Sequence, residues 1–435
     1  MMTMRANFIL VLLLLVAGCS WFEDKPDAPL VGDRKDVLQP ADETAATSGT
    51  VPQLDAPSAV TAWPQENASA VQTGAHANFT PKFQEIWKNS MGDGQEDRRV
   101  ETARPVGADG KIFAMDVRGH VSALDAATGK QLWRVSTRRA NGGALAGGLA
   151  VEGGTLYVTN GLTGVLALST QDGGLIWRTE TDSPARAAPT VADGKVYALT
   201  RGDQTFALDA ASGKILWQHH GLQEDAAVIA GAAPAVDSDM VVVPYASGEI
   251  MALSPGNGAV LWGDNLSVGR PQNNLATLHD SRAPPMLLSD MVIAANFAAN
   301  AAAIERRLGD RIWGQSFGAA QPMTVSGDTV FMITTNAQLV ALTRTGGEKF
   351  WSKPLPPPMK PDEDADPKQQ YWFGPLVLND QLLVISAEGT AQLRDAKTGE
   401  IASETKDLPP PAENPIVMND TLYWVTADGN VVAYH

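Results

Sequence analysis

A unit of about forty residues recurs eight times between Lys82 and His435, and this repetition settles the class of fold before any single residue is weighed. Its clearest marker is a Gly followed four residues later by Trp: Gly129 and Trp133, Gly173 and Trp177, Gly213 and Trp217, Gly258 and Trp262, Gly309 and Trp313, Gly347 and Trp351. Successive tryptophans of this set lie 44, 40, 45, 51 and 38 residues apart. A period of that size is the span of a four-stranded propeller blade.

One copy shows how the pattern builds a sheet. A turn at Asp193-Gly194 leads into Val196 to Leu199; after a turn near Gly202 come Thr205 to Asp209, a turn at Ser212-Gly213, and Ile215 to Trp217. Short apolar and β-branched runs separated by Gly, Asp and Ser are strands joined by hairpins. The first turn of the unit recurs at Asp109-Gly110, Gly153-Gly154, Asp193-Gly194, Ser238-Asp239, Ser289-Asp290, Gly327-Asp328, Asn379-Asp380 and Asn419-Asp420, which makes eight copies. The last copy stops at His435 after its third strand, while Phe83 to Trp87 is a Trp-ended strand with no copy before it. Joining the two completes the eighth blade and closes a ring, leaving only short outer edges. The expected fold is therefore all-β, an eight-bladed β-propeller over residues 79–435 whose last blade is closed by an N-terminal strand. In the seventh copy Ser403 stands where Trp is expected. A Trp at one fixed position per blade is a packing anchor rather than a ligand site. Asp125, Asp209 and Asp395 share one position before a turn and are expected to cap it. The recurrent Ala of the third strand marks a close approach between neighbouring sheets.

The N-terminus carries a second signal. Arg5 precedes an apolar run from Phe8 to Val16, too short to span a membrane and right for a signal-peptide core. It ends in Val16-Ala17-Gly18-Cys19, which resembles the lipobox of bacterial lipoproteins, and Cys19 is the one cysteine of the chain. Residues 1–18 are thus expected to be a signal peptide and Cys19 the lipidated residue, with Ser20 after it favouring the outer membrane by the same resemblance. Residues 19–78, rich in Asp, Glu, Pro, Ala, Thr and Ser without sustained alternation, are expected to form a disordered tether. A short bound motif within it would centre on Val60 to Trp63. The net charge of −16 argues against nucleic acid and against charge-driven adhesion to anionic lipid.

Residues that could carry chemistry are sparse. The six histidines show no metal-ligand spacing and have no cysteine partner in the ring. Asp362 to Asp366 begins like a calcium loop, but Pro367 stands where Gly is needed and Phe373 where the bidentate Glu belongs. Thr128-Gly129-Lys130 lacks the first Gly of a phosphate loop. No catalytic residue, cofactor or metal is expected. Function should lie where copies differ, in the connectors entering blades 4 and 5 and in the acidic, Pro-rich insertion at 352–374. Those connectors, Glu224 to Gly231 and Leu275 to Arg282, mix apolar residues with charges, which suits a protein-binding surface as well as it suits ordinary variable loops.

The run Ala207-Leu208-Asp209-Ala210-Ala211-Ser212-Gly213-Lys214-Ile215-Leu216-Trp217 resembles the pyrroloquinoline-quinone (PQQ) repeat. With the lipobox, a single propeller and the closing N-terminal strand, the chain is similar to the BamB family, lipoprotein subunits of the machine that inserts β-barrels into the outer membrane. The resemblance implies a non-catalytic periplasmic scaffold that binds the periplasmic domains of the barrel subunit BamA and works beside the other subunits; the exposed outer strands of the blades suggest a further role, offering strand edges to unfolded barrel substrates. Family members hold BamA through a Leu-x-Leu-Arg run and an Asp-x-Asp run. The matching stretches here are Val228, Ile229 and Ala230, and Asp280 with Arg282. Ala230 replaces the family's Arg and Arg282 its second acid, so the charge pairing would be rearranged. Two alternatives stay open: a PQQ-dependent quinoprotein dehydrogenase, whose vicinal disulfide one cysteine cannot form, and a quinone- or sugar-binding sensor using the central channel.

Overall fold

The computed structural model describes residues 49–94, 103–138, 147–161, 164–185, 187–222, 231–267, 283–297, 300–319, 321–356 and 372–435. Every regular element among them is a strand, and the strands form eight antiparallel meanders. Blades 1 to 7 run in chain order, starting with Val106–Ala108, Gly147–Glu152, Thr190–Ala192, Ala235–Val236, Met286–Leu287, Thr324–Ser326 and Trp372–Leu378 as their innermost strands. Blade 8 takes Ile416–Met418, Thr421–Val425 and Asn430–Tyr434 from the C-terminus and Glu85–Ser90 from the N-terminal side. The eight-bladed propeller and its N-terminal closing strand are as the repeat predicts. Apolar clusters bridge each pair of neighbouring blades, and the largest joins blades 7, 8 and 1 across the closure.

The Gly-to-Trp spacing has a direct physical cause. Seven tryptophans, from Trp87 to Trp351, are 6–8% exposed. Each donates its indole N–H to a backbone carbonyl of the next blade at 2.6–3.1 Å, for example Trp177 to Ala210 and Trp217 to Pro255. The ring then lies against the next blade's turn glycine. A Cβ added at Gly213, whose φ is +70°, would sit 2.5 Å from the Trp177 indole. Across the hairpin each Trp faces an alanine, such as Ala207 opposite Trp217 and Ala252 opposite Trp262. The small partner leaves room for the indole. Asp125, Asp209 and Asp395 cap their turns, each accepting from the backbone and side chain of a Thr or Ser three residues on.

Blade 7 breaks all three rules together. Ser403 is exposed, and its cross-strand partner is Leu393 rather than Ala. In blade 8 the third and fourth strands come from opposite ends of the chain, and His435 N–H bonds to Gln84 O at 2.9 Å as Asp125 N–H bonds to Lys130 O in blade 1. That register puts Phe83 at the turn-glycine position, with φ +53°, packed against the cluster shared by blades 7, 8 and 1.

The expected tether differs from the structure over its last third. Between Val60 and Ala77 the chain visits all eight blades in order around the inner ring. Val60 O accepts from Asn419 of blade 8, and Trp63 exchanges two bonds with Gly107 of blade 1 at 2.7 and 2.9 Å. Pro64 O accepts from Val151, Gln65 Nε2 donates to Val191 O, and Ala70, Val71, Thr73 and Ala77 accept from Val236, Leu287, Val325 and Asn379. His76–Ala77 adds a fifth, parallel strand to blade 7. The expected motif at Val60 to Trp63 is part of this strap, with Trp63 only 1% exposed. The bound stretch is far longer than expected because backbone groups make most of its bonds, and those need no apolar alternation.

Candidate functional site: the strapped face and the stems beside blade 4

Strand direction alternates within each blade, so the propeller has two unlike faces. The first and third hairpin turns lie on one face. The middle turn and the blade-to-blade connector lie on the other. The strap occupies the first face, bonding beside the inner hairpin turns.

Within the strap, polar side chains fill the ring. Gln65, Asn67 and Gln72 are buried; Asn67 Nδ2 donates to Met323 O at 2.8 Å, and Gln72 Nε2 reaches Thr190 and Pro234. Arg104 lies over the Trp63 ring, 5.1 Å from its centroid, and donates to Glu66 O and Pro415 O. Burial pushes the Glu66 carboxyl up to about 7 against the pull of the Arg104 charge, while burial brings Arg104 down to about 10. Glu66 Oε2 also accepts from Ala233 N at 3.2 Å, where the chain enters blade 4. Outside the strap a recess of about 480 Å³ is lined by Gln65, Ser69, Asp109, Glu152 and Asp193. Burial, then the nearby Asp193, raises the Glu152 carboxyl. The mouth that a channel ligand would use on this face is thus bonded to the chain's own residues.

Among the described residues one cluster has metal-compatible side chains: ligand atoms of Asp93, Asp116 and His120 lie within 4.8 Å of one another. Asp116 is already saturated. Its Oδ1 accepts from the backbone of Arg118 and His120, and its Oδ2 from Asp93 N, Arg134 Nη2 and the His120 ring at 2.8–3.1 Å. This is a knot tying the middle turn of blade 1 to the segment that closes blade 8. Sequence reasoning missed it, since Asp93 and Asp116 meet only once the ring is closed.

The residues expected to bind a partner, Val228, Ile229, Ala230, Asp280 and Arg282, lie outside the described residues, as do Cys19 and residues 357–371 of the acidic insertion. What the structure does fix is where their connectors join the ring. One leaves blade 3 at Gly221-Leu222 and reaches blade 4 by Ala232; the other leaves blade 4 at Leu266-Ser267 and reaches blade 5 by Ala283. The stems Gly221-Leu222 and Leu266-Ser267 flank the middle turn of blade 4.

Fold and repeat chemistry define a single closed propeller of PQQ-type blades, with its tryptophans, turn glycines and capping aspartates spent on packing. The sequence pattern of the family described as "Outer membrane protein assembly factor BamB" matches residues 49–144 and 117–353. The chain belongs to that family. It is 27% identical over 365 residues to the outer membrane protein assembly factor BamB of Yersinia pestis, covering 82% of this chain and 89% of the relative. The Escherichia coli K12 protein of the same name is 26% identical, with 81% and 88% covered. Among solved structures, BamB from Moraxella catarrhalis superposes with a TM-score of 0.66 at 21% identity, covering 81% of this chain and 99% of that one. A quinohemoprotein alcohol dehydrogenase from Comamonas testosteroni gives 0.65 at 16% identity, covering 86% and 80%, a likeness of fold alone.

Proposed function

We propose that this chain is a non-catalytic scaffold of outer-membrane protein assembly, anchored at Cys19 on the periplasmic face of the outer membrane. It holds the periplasmic domains of BamA through the two connectors flanking blade 4 and sits beside the other subunits of the machine. The family match across residues 49–353 carries this reading. The adjacency of the two connector stems, Gly221-Leu222 and Leu266-Ser267, on either side of the middle turn of blade 4 supports it. Ile229→Asp combined with Asp280→Arg abolishes capture of the BamA periplasmic domains while leaving the melting temperature nearly unchanged; undiminished capture would move the interface elsewhere. Cys19→Ala leaves the protein unlipidated and released from membranes on fractionation, and retention as an integral component would contradict the anchor.

A second role, presenting edges to unfolded barrel strands, is supported by the outer strands of blades 2 to 4. Each exposes an apolar pair on an unpaired edge: Leu175 and Ile176, Ile215 and Leu216, Val260 and Leu261, all at 40–57% exposure. Such edges accept an added strand through backbone bonds. Failure of unfolded barrel peptides to bind the isolated propeller would remove this role.

A further inference from the structure

The two connector stems are joined by one turn of blade 4. Tyr245 to Glu249 forms the middle turn of that blade, closed by Tyr245 N–H to Glu249 O at 2.9 Å. On one side, the Glu249 carboxylate accepts from Leu222 N at 3.0 Å, in the stem leaving blade 3. The same oxygen accepts from Ser247 Oγ at 3.0 Å. On the other side, Ser247 O accepts from Ser267 Oγ at 2.8 Å and Gly248 O from Leu266 N at 2.9 Å, in the stem leaving blade 4. Close packing seals both contacts. A Cβ on Gly221 would lie 2.6 Å from the Tyr245 ring, and one on Gly248 would lie 2.0 Å from Ser267 Oγ. Tyr245 is fully buried and its hydroxyl is hydrogen-bonded to Thr205 of blade 3 at 2.8 Å, so the turn has a rigid base. Leu222, by contrast, is 64% exposed, one residue beyond Gly221, whose N–H is bonded to Asp203 O at 2.8 Å.

We propose that Glu249 is a positioning residue for partner binding: its carboxylate fastens the stem leaving blade 3 to the turn that carries the stem leaving blade 4, and so sets the two stems relative to each other. The proposal rests on the interface reading above. A charge-assisted bond to a backbone amide is among the stronger hydrogen bonds available to a surface stem. Its loss frees the stem without opening the core.

The test pairs Glu249→Ala with Glu249→Gln in the full chain, reading amide hydrogen exchange at Leu222 and Leu266 and affinity for the BamA periplasmic domains. Glu249→Ala speeds exchange at both amides and weakens binding about tenfold, the scale of one such bond, with the melting temperature held. Glu249→Gln, whose amide oxygen can still accept both bonds, restores exchange and affinity to within a few-fold of the parent. Unchanged affinity in Glu249→Ala, with capture abolished by the connector double variant, overturns the positioning role while leaving the interface standing. Should the connector variant bind normally, the interface reading fails instead. The exchange data then decide alone: faster exchange at Leu266 as well as Leu222 sustains the coupling, and unaltered protection at Leu266 ends it.

Discussion

Gly194 and Gly213 allow the packing logic of the ring to be tested within one blade. Both have φ of +70°. An added Cβ at Gly194 meets nothing within 4 Å, whereas at Gly213 it meets the Trp177 ring at 2.5 Å. Gly194→Ala therefore incurs only the cost of a left-handed alanine, about 1–2 kcal/mol. Gly213→Ala incurs that cost and an overlap with a ring that cannot retreat freely. Trp177 is held by its bond to Ala210 O at 2.9 Å and is 8% exposed. Overpacking of this kind costs about 1–3 kcal/mol, and displacing the indole forfeits roughly 1 kcal/mol more with its hydrogen bond. The expected gap between the variants is about 2–4 kcal/mol, with Gly213→Ala the weaker. Equilibrium urea unfolding of both proteins, followed by tryptophan fluorescence, measures it directly. Equal destabilisation would show that backbone conformation alone selects glycine there, and the account of the Gly-to-Trp spacing as an indole seat would fail.

Two further outcomes follow from the ring. Glu66 has its carboxyl raised from 4.5 to about 7, so folding favours its protonated form, and its contribution to stability is lost as pH rises through that interval. Glu66→Gln should match the parent near pH 5 and exceed it at pH 8 by at most about 3 kcal/mol, read as a melting-temperature difference that opens with pH; a constant difference would refute the buried charge. At the seam, Phe83 is half-buried with φ +53°, so Phe83→Gly loses aromatic packing but relieves a left-handed backbone and should destabilise by roughly 1–3 kcal/mol. Adding Ser403→Trp and Leu393→Ala, which together recreate the ordinary blade contact, should recover part of that in the same urea assay, and no recovery would mean the seam is not built on the repeat's geometry.

How much of the molecule could be read from sequence depended on which atoms do the bonding. The blades were legible because side chains specify them: indole, turn glycine, facing alanine and capping aspartate recur at fixed spacing, and their period counts the blades. The strap was not, apart from Trp63, because its eight-blade circuit is made largely with backbone amides and carbonyls that any composition supplies. The Asp116 knot was hidden for a different reason. Asp93 and Asp116 belong to segments brought together only when Glu85–Ser90 docks on Asn430–Tyr434. The connector residues expected to meet a partner lie outside the described residues, and only their stems, with Glu249 between them, are positioned by the ring.

The exceptions in the repeat carry as much information as the rule. A Trp in one blade requires a glycine in the next, since no side chain fits beneath the indole, and an alanine opposite, since no larger one fits beside it. Blade 8 has no continuous turn to supply that glycine: its third strand ends the chain and its fourth begins the ring, with Phe83 at the turn position. A blade-7 Trp would collide with it. Ser403 in place of Trp and Leu393 in place of Ala are consequences of that single change, with Phe83 and Leu393 both packed in the cluster that spans the closure. Three departures scattered across more than 300 residues of sequence are therefore one structural event, and they mark the seam by which the propeller closes.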